Sequence, residues 1–128
     1  MEHFASHWTP PHIWDEPVLW MKRSFNKVAD GLADLTMDRR QSRKQWFATT
    51  LGRLTSNIII QTDGGLREGD CAAASFIIGL WGDDGIGMRY EPLLAQGTYL
   101  DSSCTVFMAE AIALDEAAAE VLNWIHTN

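Results

Sequence analysis

The chain reads NIIIQTDGG over residues 57–65, and this stretch decides the fold class. Its three isoleucines and the threonine favour a strand, and the near-continuous apolar character is typical of a strand covered on both faces of a sheet. Gly64 and Gly65 follow Asp63, so we expect the strand to stop there in a turn. Ligands of open α/β sheets bind where strands end, which makes Asp63 a candidate site residue.

Two further strands are predicted downstream, over residues 72–81 and 88–100, with the turn-rich GDDG of residues 82–85 between them. Two hairpins would therefore join three antiparallel strands. Pro92 and Gly97 are expected to mark a bend or a sheet edge in the last strand. A long helix should follow residues 101–103, with an apolar stripe at spacings of four and three formed by Phe107, Ala111, Leu114, Ala118, Val121 and Ile125.

The first part of the chain is organised differently. Residues 1–17 have no steady period and are predicted to be an irregular lead-in. Residues 18–21 form a short apolar run suited to a strand, and Ser24 is a good N-cap for a helix that continues to about Arg40. Residues 41–56 are polar and are interpreted as a linker, with a helical extension around Trp46 and Phe47 as one interpretation.

Length and charge restrict the function classes. A chain of 128 residues with 46% hydrophobic and 21% charged residues is the size of one soluble domain. The net charge of −7 argues against general, charge-driven binding of nucleic acid. The basic residues Arg39, Arg40, Arg43 and Lys44 are interpreted either as a solvated helix face or as a local nucleic-acid patch.

The cysteines and the apolar runs indicate in which cellular compartment the protein is expected. Cys71 and Cys104 are too few for a disulfide framework and are predicted to be buried thiols of an intracellular protein. No apolar run approaches the length of about 20 residues that a membrane helix needs, and MEHFASHW lacks the features of a signal peptide. We therefore expect no membrane partner.

Glu110 is the carboxylate of the last helix that needs an explanation. It lies at the border of the predicted apolar stripe, where an acid costs desolvation unless it is paired or holds a metal. A hydrogen-bonded or snorkelling boundary acid is the alternative. Glu116 and Glu120 are predicted to face solvent.

These motifs together resemble the first half of a type 1 ribonuclease H domain. The resemblance covers about residues 57–125 and is carried by TDGG at residues 62–65, the two hairpin strands and AEAIALDEA at residues 109–117. It implies that Asp63 and Glu110 are catalytic carboxylates and that Gly64 and Gly65 lie beside the substrate.

Residues 20–33, WMKRSFNKVADGLA, resemble the last strand and the start of the final helix of the same family. This likeness implies that Asp30 is a further catalytic carboxylate. By the helical wheel alone, Asp30 lies off the apolar stripe and could equally be a surface acid. The residues implied to contact the substrate here are Lys22, Arg23, Asn26 and Lys27.

The chain departs from the family in two ways. Residues 18–40, which resemble the closing segment, precede residues 57–128, which resemble the opening three strands and first helix. The fourth strand, with the second family aspartate, has no counterpart. A junction between tandem copies, a circular permutant that has lost its middle and an incomplete gene model all fit this pattern.

The resemblance implies an α/β fold with an incomplete, ribonuclease H-like mixed sheet: three antiparallel strands, one or two further strands and flanking helices. In the family the strand equivalent to residues 57–62 is central. Here residues 18–21 could pair beside it, or its edge could stay open. An open apolar edge invites pairing with another chain, so a homodimer through this edge is one prediction.

If the site is complete, the resemblance implies metal-dependent hydrolysis of the RNA strand of an RNA–DNA hybrid. The missing family aspartate would hold the ion on the nucleophile side, so we expect the isolated chain to bind metal weakly and its activity to depend on completion of the site. Clustered carboxylates need a cation to ionise together, and hard oxygen ligands select Mg²⁺ or Mn²⁺, with two ions implied for an active site. Asp63 would contact both ions, Glu110 the ion on the leaving-group side and Asp30 the ion on the nucleophile side. Two alternatives stay open: a non-catalytic interaction module of the same fold, and a generic α/β domain without an active site.

Overall fold

The computed structural model describes residues 24–52 and 56–127, which form an α/β fold with one open antiparallel sheet and two helices. In chain order the elements are α1 (Ser24–Arg39), β1 (Arg43–Trp46), β2 (Ser56–Arg67), β3 (Cys71–Asp83), β4 (Met88–Leu100) and α2 (Val106–Thr127). The four strands lie in the order β1-β4-β3-β2. Neither helix is long and apolar enough to cross a membrane.

The two predicted hairpins are confirmed. β2 pairs with β3 along its whole length, and β3 pairs in turn with β4. Pro92 lies opposite Gly79, where the ladder of β3 and β4 has a register irregularity. Proline has no backbone N–H to donate to the ladder, so it is tolerated at such an irregularity. The predicted interruption of this strand at Pro92 therefore corresponds to the register shift.

The prediction that the first of these strands ends at Asp63 is wrong. β2 continues through Gly64 and Gly65 to Arg67, and Asp63 lies inside the ladder opposite Ser75. Asp-Gly-Gly favours a turn locally, but the start of β3 offers backbone partners to the whole continuing segment. The backbone hydrogen bonds between β2 and β3 then outweigh the preference of Asp-Gly-Gly for a turn.

The helical extension considered around Trp46 and Phe47 is also wrong. Residues 43–46 form β1, which pairs with β4 from Arg43 opposite Gly97 to Trp46 opposite Leu94. β1 thus covers the outer edge of β4, and β2 is the other edge strand of the described sheet. The described strands pair only antiparallel, and the predicted strand over residues 18–21 lies outside the described residues.

The first helix is confirmed, with Val28, Ala29, Leu32 and Ala33 buried against the sheet. It ends at Arg39 because Arg40 adopts a left-handed conformation with φ of 52°. The N–H groups of the two following residues then satisfy carbonyls of the last turn, as in other helix C-caps: Arg40 donates to Met37 and Gln41 to Thr36.

The second helix is confirmed, but its predicted buried face is wrong. Ala109, Ala113 and Ala117 face the sheet, whereas Phe107 is 79% and Leu114 59% exposed. The buried face is therefore rotated by roughly 120° around the helix from the predicted stripe, at 100° per residue. The helix is apolar on most sides, so its small alanines can take the side that approaches the sheet most closely.

This rotation also corrects the prediction for Glu116 and Glu120. The Glu116 carboxylate accepts a hydrogen bond of 2.9 Å from the Thr98 hydroxyl on β4. Glu120 forms an ion pair with Lys44 on β1. Both acids therefore tie α2 to the sheet rather than facing only solvent. The two cysteines are buried free thiols, as predicted.

Candidate functional site

Asp63 is half-buried on the edge strand β2, and its side chain faces α1. Neighbouring residues of a strand point to opposite faces of the sheet. A Cβ on Gly65 would meet the Met37 methyl of α1 at 2.8 Å, and one on Gly64 would meet α2. Asp63 shares the face of Gly65, so it lies on the α1 side of β2, which is an edge strand of the described sheet.

The carboxyl group of Asp63 forms a hydrogen bond with that of Asp30 on α1. Burial, this hydrogen bond and the neighbouring charge of Asp30 raise the pKa of Asp63 to about 6. The N–H of Gly64 lowers it in part, and the charge of Glu110 adds to the increase. The structure thus brings Asp30 and Asp63 into contact and places Glu110 within electrostatic reach.

Glu110 is positioned by the close approach of α2 to Gly64. A Cβ at residue 64 would lie 2.6 Å from the backbone nitrogen of Glu110 and 2.9 Å from the carbonyl carbon of Ala109. These are backbone atoms, which cannot move aside as a flexible side chain can. Gly64 therefore lets the first turns of α2, with Glu110, lie directly on β2 beside Asp63.

Ser75 ties together the elements that carry Asp30 and Asp63. Its buried hydroxyl donates a hydrogen bond to the carbonyl of Ala29, the residue before Asp30. The same hydroxyl oxygen lies 3.5 Å from the carbonyl oxygen of Asp63. Sequence reasoning missed this residue, although a lone serine in the otherwise apolar run of β3 is the signal that could have found it.

Asp34 is a second residue that sequence reasoning missed. It follows Asp30 by one helical turn, and its pKa is raised by burial and by the charge of Asp30. Arg67 forms an ion pair of 2.7 Å with Asp38 and lies 3.9 Å from Asp34. The spacing of four between these aspartates is the signal, since it places all three on one side of α1.

The remaining predicted contacts are only partly described. Lys27 lies on α1, three residues before Asp30, with an exposed side chain. Lys22 and Arg23 lie outside the described residues, as does the side chain of Asn26. The space beside Gly64 is occupied by α2, and Gly65 faces Met37.

The donor set fits a hard divalent cation in its chemistry. Two carboxyl groups in contact, with a third acid near them, supply oxygen ligands and a negative potential. Over residues 24–52 and 56–127, no group of three or more His, Cys, Asp or Glu side chains is close enough to hold a metal ion. The contact pair of Asp30 and Asp63 is therefore the part of the site that is assembled.

Comparisons of the chain with protein-family models, with curated proteins and with solved structures find no match.

Proposed function

We propose that this chain is a ribonuclease H-like nuclease domain that hydrolyses the RNA strand of RNA–DNA hybrids with a divalent metal ion. The observation that carries the proposal is the contact between the carboxyl groups of Asp63 and Asp30, with Glu110 in electrostatic reach. These three acids come from β2, α1 and α2, which are distant in sequence. Acids scattered over a protein surface for solubility do not need to converge from one strand and two helices on a single place.

The electrostatics of the pair support a cation site. With a pKa of about 6, Asp63 is largely ionised at neutral pH, where its negative charge lies against that of Asp30. A divalent ion would relieve this repulsion, and Asp63, Asp30 and Glu110 are the residues that would hold it. When bound, Mg²⁺ or Mn²⁺ would supply an acidified water for attack at phosphorus and neutralise charge on the phosphate.

The chain's own residues then have defined tasks. Asp63 gives up its proton when the cation binds, so binding should strengthen as the pH rises through about 6. Glu110 keeps its place because Gly64 holds α2 against β2. Lys27 is the described basic residue nearest in sequence to Asp30 and would meet a phosphate of the hybrid.

The test is cleavage of a hybrid labelled on its RNA strand, with and without Mg²⁺. The wild-type chain should release RNA fragments only with the metal, and Asp63→Asn should abolish this release. Glu68→Gln is the matched control, because Glu68 is an exposed acid of the β2–β3 turn. Cleavage without the metal, or cleavage unchanged in Asp63→Asn, would contradict the proposal, as would no cleavage by the wild type.

A non-catalytic interaction module is the second candidate function. The exposed apolar residues of α2, such as Phe107 and Leu114, favour it, because large exposed apolar patches mark interaction surfaces. A wild-type chain that binds neither Mg²⁺ nor Mn²⁺ but still associates through this face would support the interaction module over the nuclease.

A further inference from the structure

α2 carries a second apolar face, and most of its side chains are exposed. The face contains the six residues at spacings of four and three along the helix: Phe107, Ala111, Leu114, Ala118, Val121 and Ile125. All of them are exposed except Val121, which is partly buried because it packs at its inner side against the core cluster of Phe76 and Leu94. We call this set the outer seam of α2.

The spacing of the outer seam suits packing against another helix. Apolar residues that alternate at intervals of four and three form the a and d positions of a heptad repeat, which packs against another helix. The seam is also large: with Met108 and Leu122 beside it, it exposes roughly 600 Å² of apolar surface, judged from typical side-chain areas. That is at the upper limit for a monomer and close to the roughly 800 Å² per partner of a stable interface.

We propose that the outer seam pairs with the same seam of a second copy of this chain, with the two α2 helices antiparallel. A two-fold axis requires that if one residue faces another, the reverse contact also exists. With the axis near the middle of the seam, Leu114 faces Ala118 of the partner and Ala111 faces Val121 of the partner. Phe107 then faces Ile125 of the partner, so a larger side chain meets an alanine at the central contacts and two large side chains meet at each end.

The charges beside the seam decide the direction of pairing. Glu110 and Asp115 flank it on opposite sides, and the seam has no basic residue beside it in the first three turns. Parallel helices would place Glu110 of each copy against Asp115 of the other, which makes two repulsive pairs. Antiparallel helices leave only one pair of like charges, Asp115 with itself near the axis.

Sedimentation of the full chain at micromolar concentration tests the proposal. The wild type should have the mass of two chains, and Leu114→Arg should raise the dissociation constant at least about tenfold. Leu114 is exposed, so this change should leave the fold intact. Ala119→Arg is the matched control, since Ala119 is an exposed residue of the same helix outside the seam.

Phe107→Glu repeats the test at the most exposed residue of the seam. A wild-type chain that stays monomeric would overturn the proposal. This is the result expected if residues 1–23 of the same chain cover the outer seam. A dimer that survives both substitutions would also overturn it, because pairing through the β2 edge would give that result.

The register has its own test. In an oxidised mixture of Leu114→Cys and Ala118→Cys chains, the mixed disulfide should exceed either self-disulfide, since these positions face each other only in the antiparallel arrangement. Predominant self-disulfides would contradict this arrangement. The native thiols of Cys71 and Cys104 are buried and should not compete.

Discussion

The carboxyl groups of Asp63 on β2 and Asp30 on α1 form a hydrogen bond with each other. Two carboxyl groups can form such a bond only while one of them keeps a proton. Burial of Asp63 and the hydrogen bond itself raise the pKa of Asp63 to about 6, so the pair keeps this proton up to about that pH. Above this pH the pair carries two charges in contact, which costs stability unless a cation binds.

The first prediction concerns stability and pH. The folded-state pKa of Asp63 is raised from 3.8 to about 6, so the folded chain binds the proton more tightly than the unfolded chain between these values. This group therefore reduces the free energy of unfolding as the pH rises from about 4 to about 6. Because Asp63 is partly solvated, screening limits the cost to about 1 kcal/mol.

Asp63→Asn should remove this cost, so the variant should be more stable than the wild type at pH 7 without metal. At pH 4 the difference should disappear. Urea denaturation at both pH values measures it, with Glu68→Gln as the control that should change nothing. A variant less stable than the wild type at pH 7 would contradict the account of the pair.

The second prediction compares the two adjacent glycines. Gly64→Ala pushes a methyl group against the backbone of Ala109 and Glu110, so we expect a loss of about 2 kcal/mol. Gly65→Ala meets the flexible end of Met37 instead and should cost less. Thermal denaturation of the two variants gives the comparison. Equal losses would show that α2 is not held against β2 at residue 64.

The third prediction concerns Glu91, a buried acid of β4 far from the site. Burial acts to raise the pKa of Glu91, but hydrogen bonds from Thr49 and Thr50 and the ion pair with Arg89 outweigh it and hold the pKa at about 2. The N–H of Thr50 donates to it at 2.8 Å. Glu91 thus fastens the segment after β1 to β4.

Glu91→Gln removes the charge, so it should lower the free energy of unfolding by about 2 kcal/mol at pH 7. The ionised form stabilises the fold above the ordinary pKa of 4.5, and this contribution is lost as the pH falls towards 2. The variant and the wild type should therefore converge at low pH in denaturant titrations. A constant difference down to pH 2 would be inconsistent with this role.

Sequence reasoning predicted α1, the two hairpins and α2 because each has a local signature. It could not predict that Arg43–Trp46 forms β1 on the edge of β4, because this segment is polar and its partner lies far along the chain. Nor could it orient α2. Alanines on several sides make the apolar pattern ambiguous, and the contact of Gly64 with Glu110 selects the buried face.

Among the candidate acids, too, one could be predicted from its position in the sequence pattern and another could not. Glu110 borders both the predicted and the observed buried face of α2, so its prediction did not depend on the correct rotation. Asp30 is exposed, and its position on the helical wheel of α1, away from the apolar stripe, gave no reason to expect a contact with Asp63. The contact arises because the Ser75 hydroxyl holds α1 beside β2, and a single-sequence pattern does not contain this fact.

The measurement that tests the central claim most directly is a carboxyl ¹³C NMR titration of Asp63, with and without Mg²⁺, in the wild type and in Asp30→Asn. The account predicts a pKa of about 6 without metal and a lower pKa with it. In Asp30→Asn, the pKa without metal should fall and the response to Mg²⁺ should weaken. An ordinary pKa for Asp63 in the wild type, or one that Mg²⁺ does not change, would contradict the claim that Asp30 and Asp63 form a cation site.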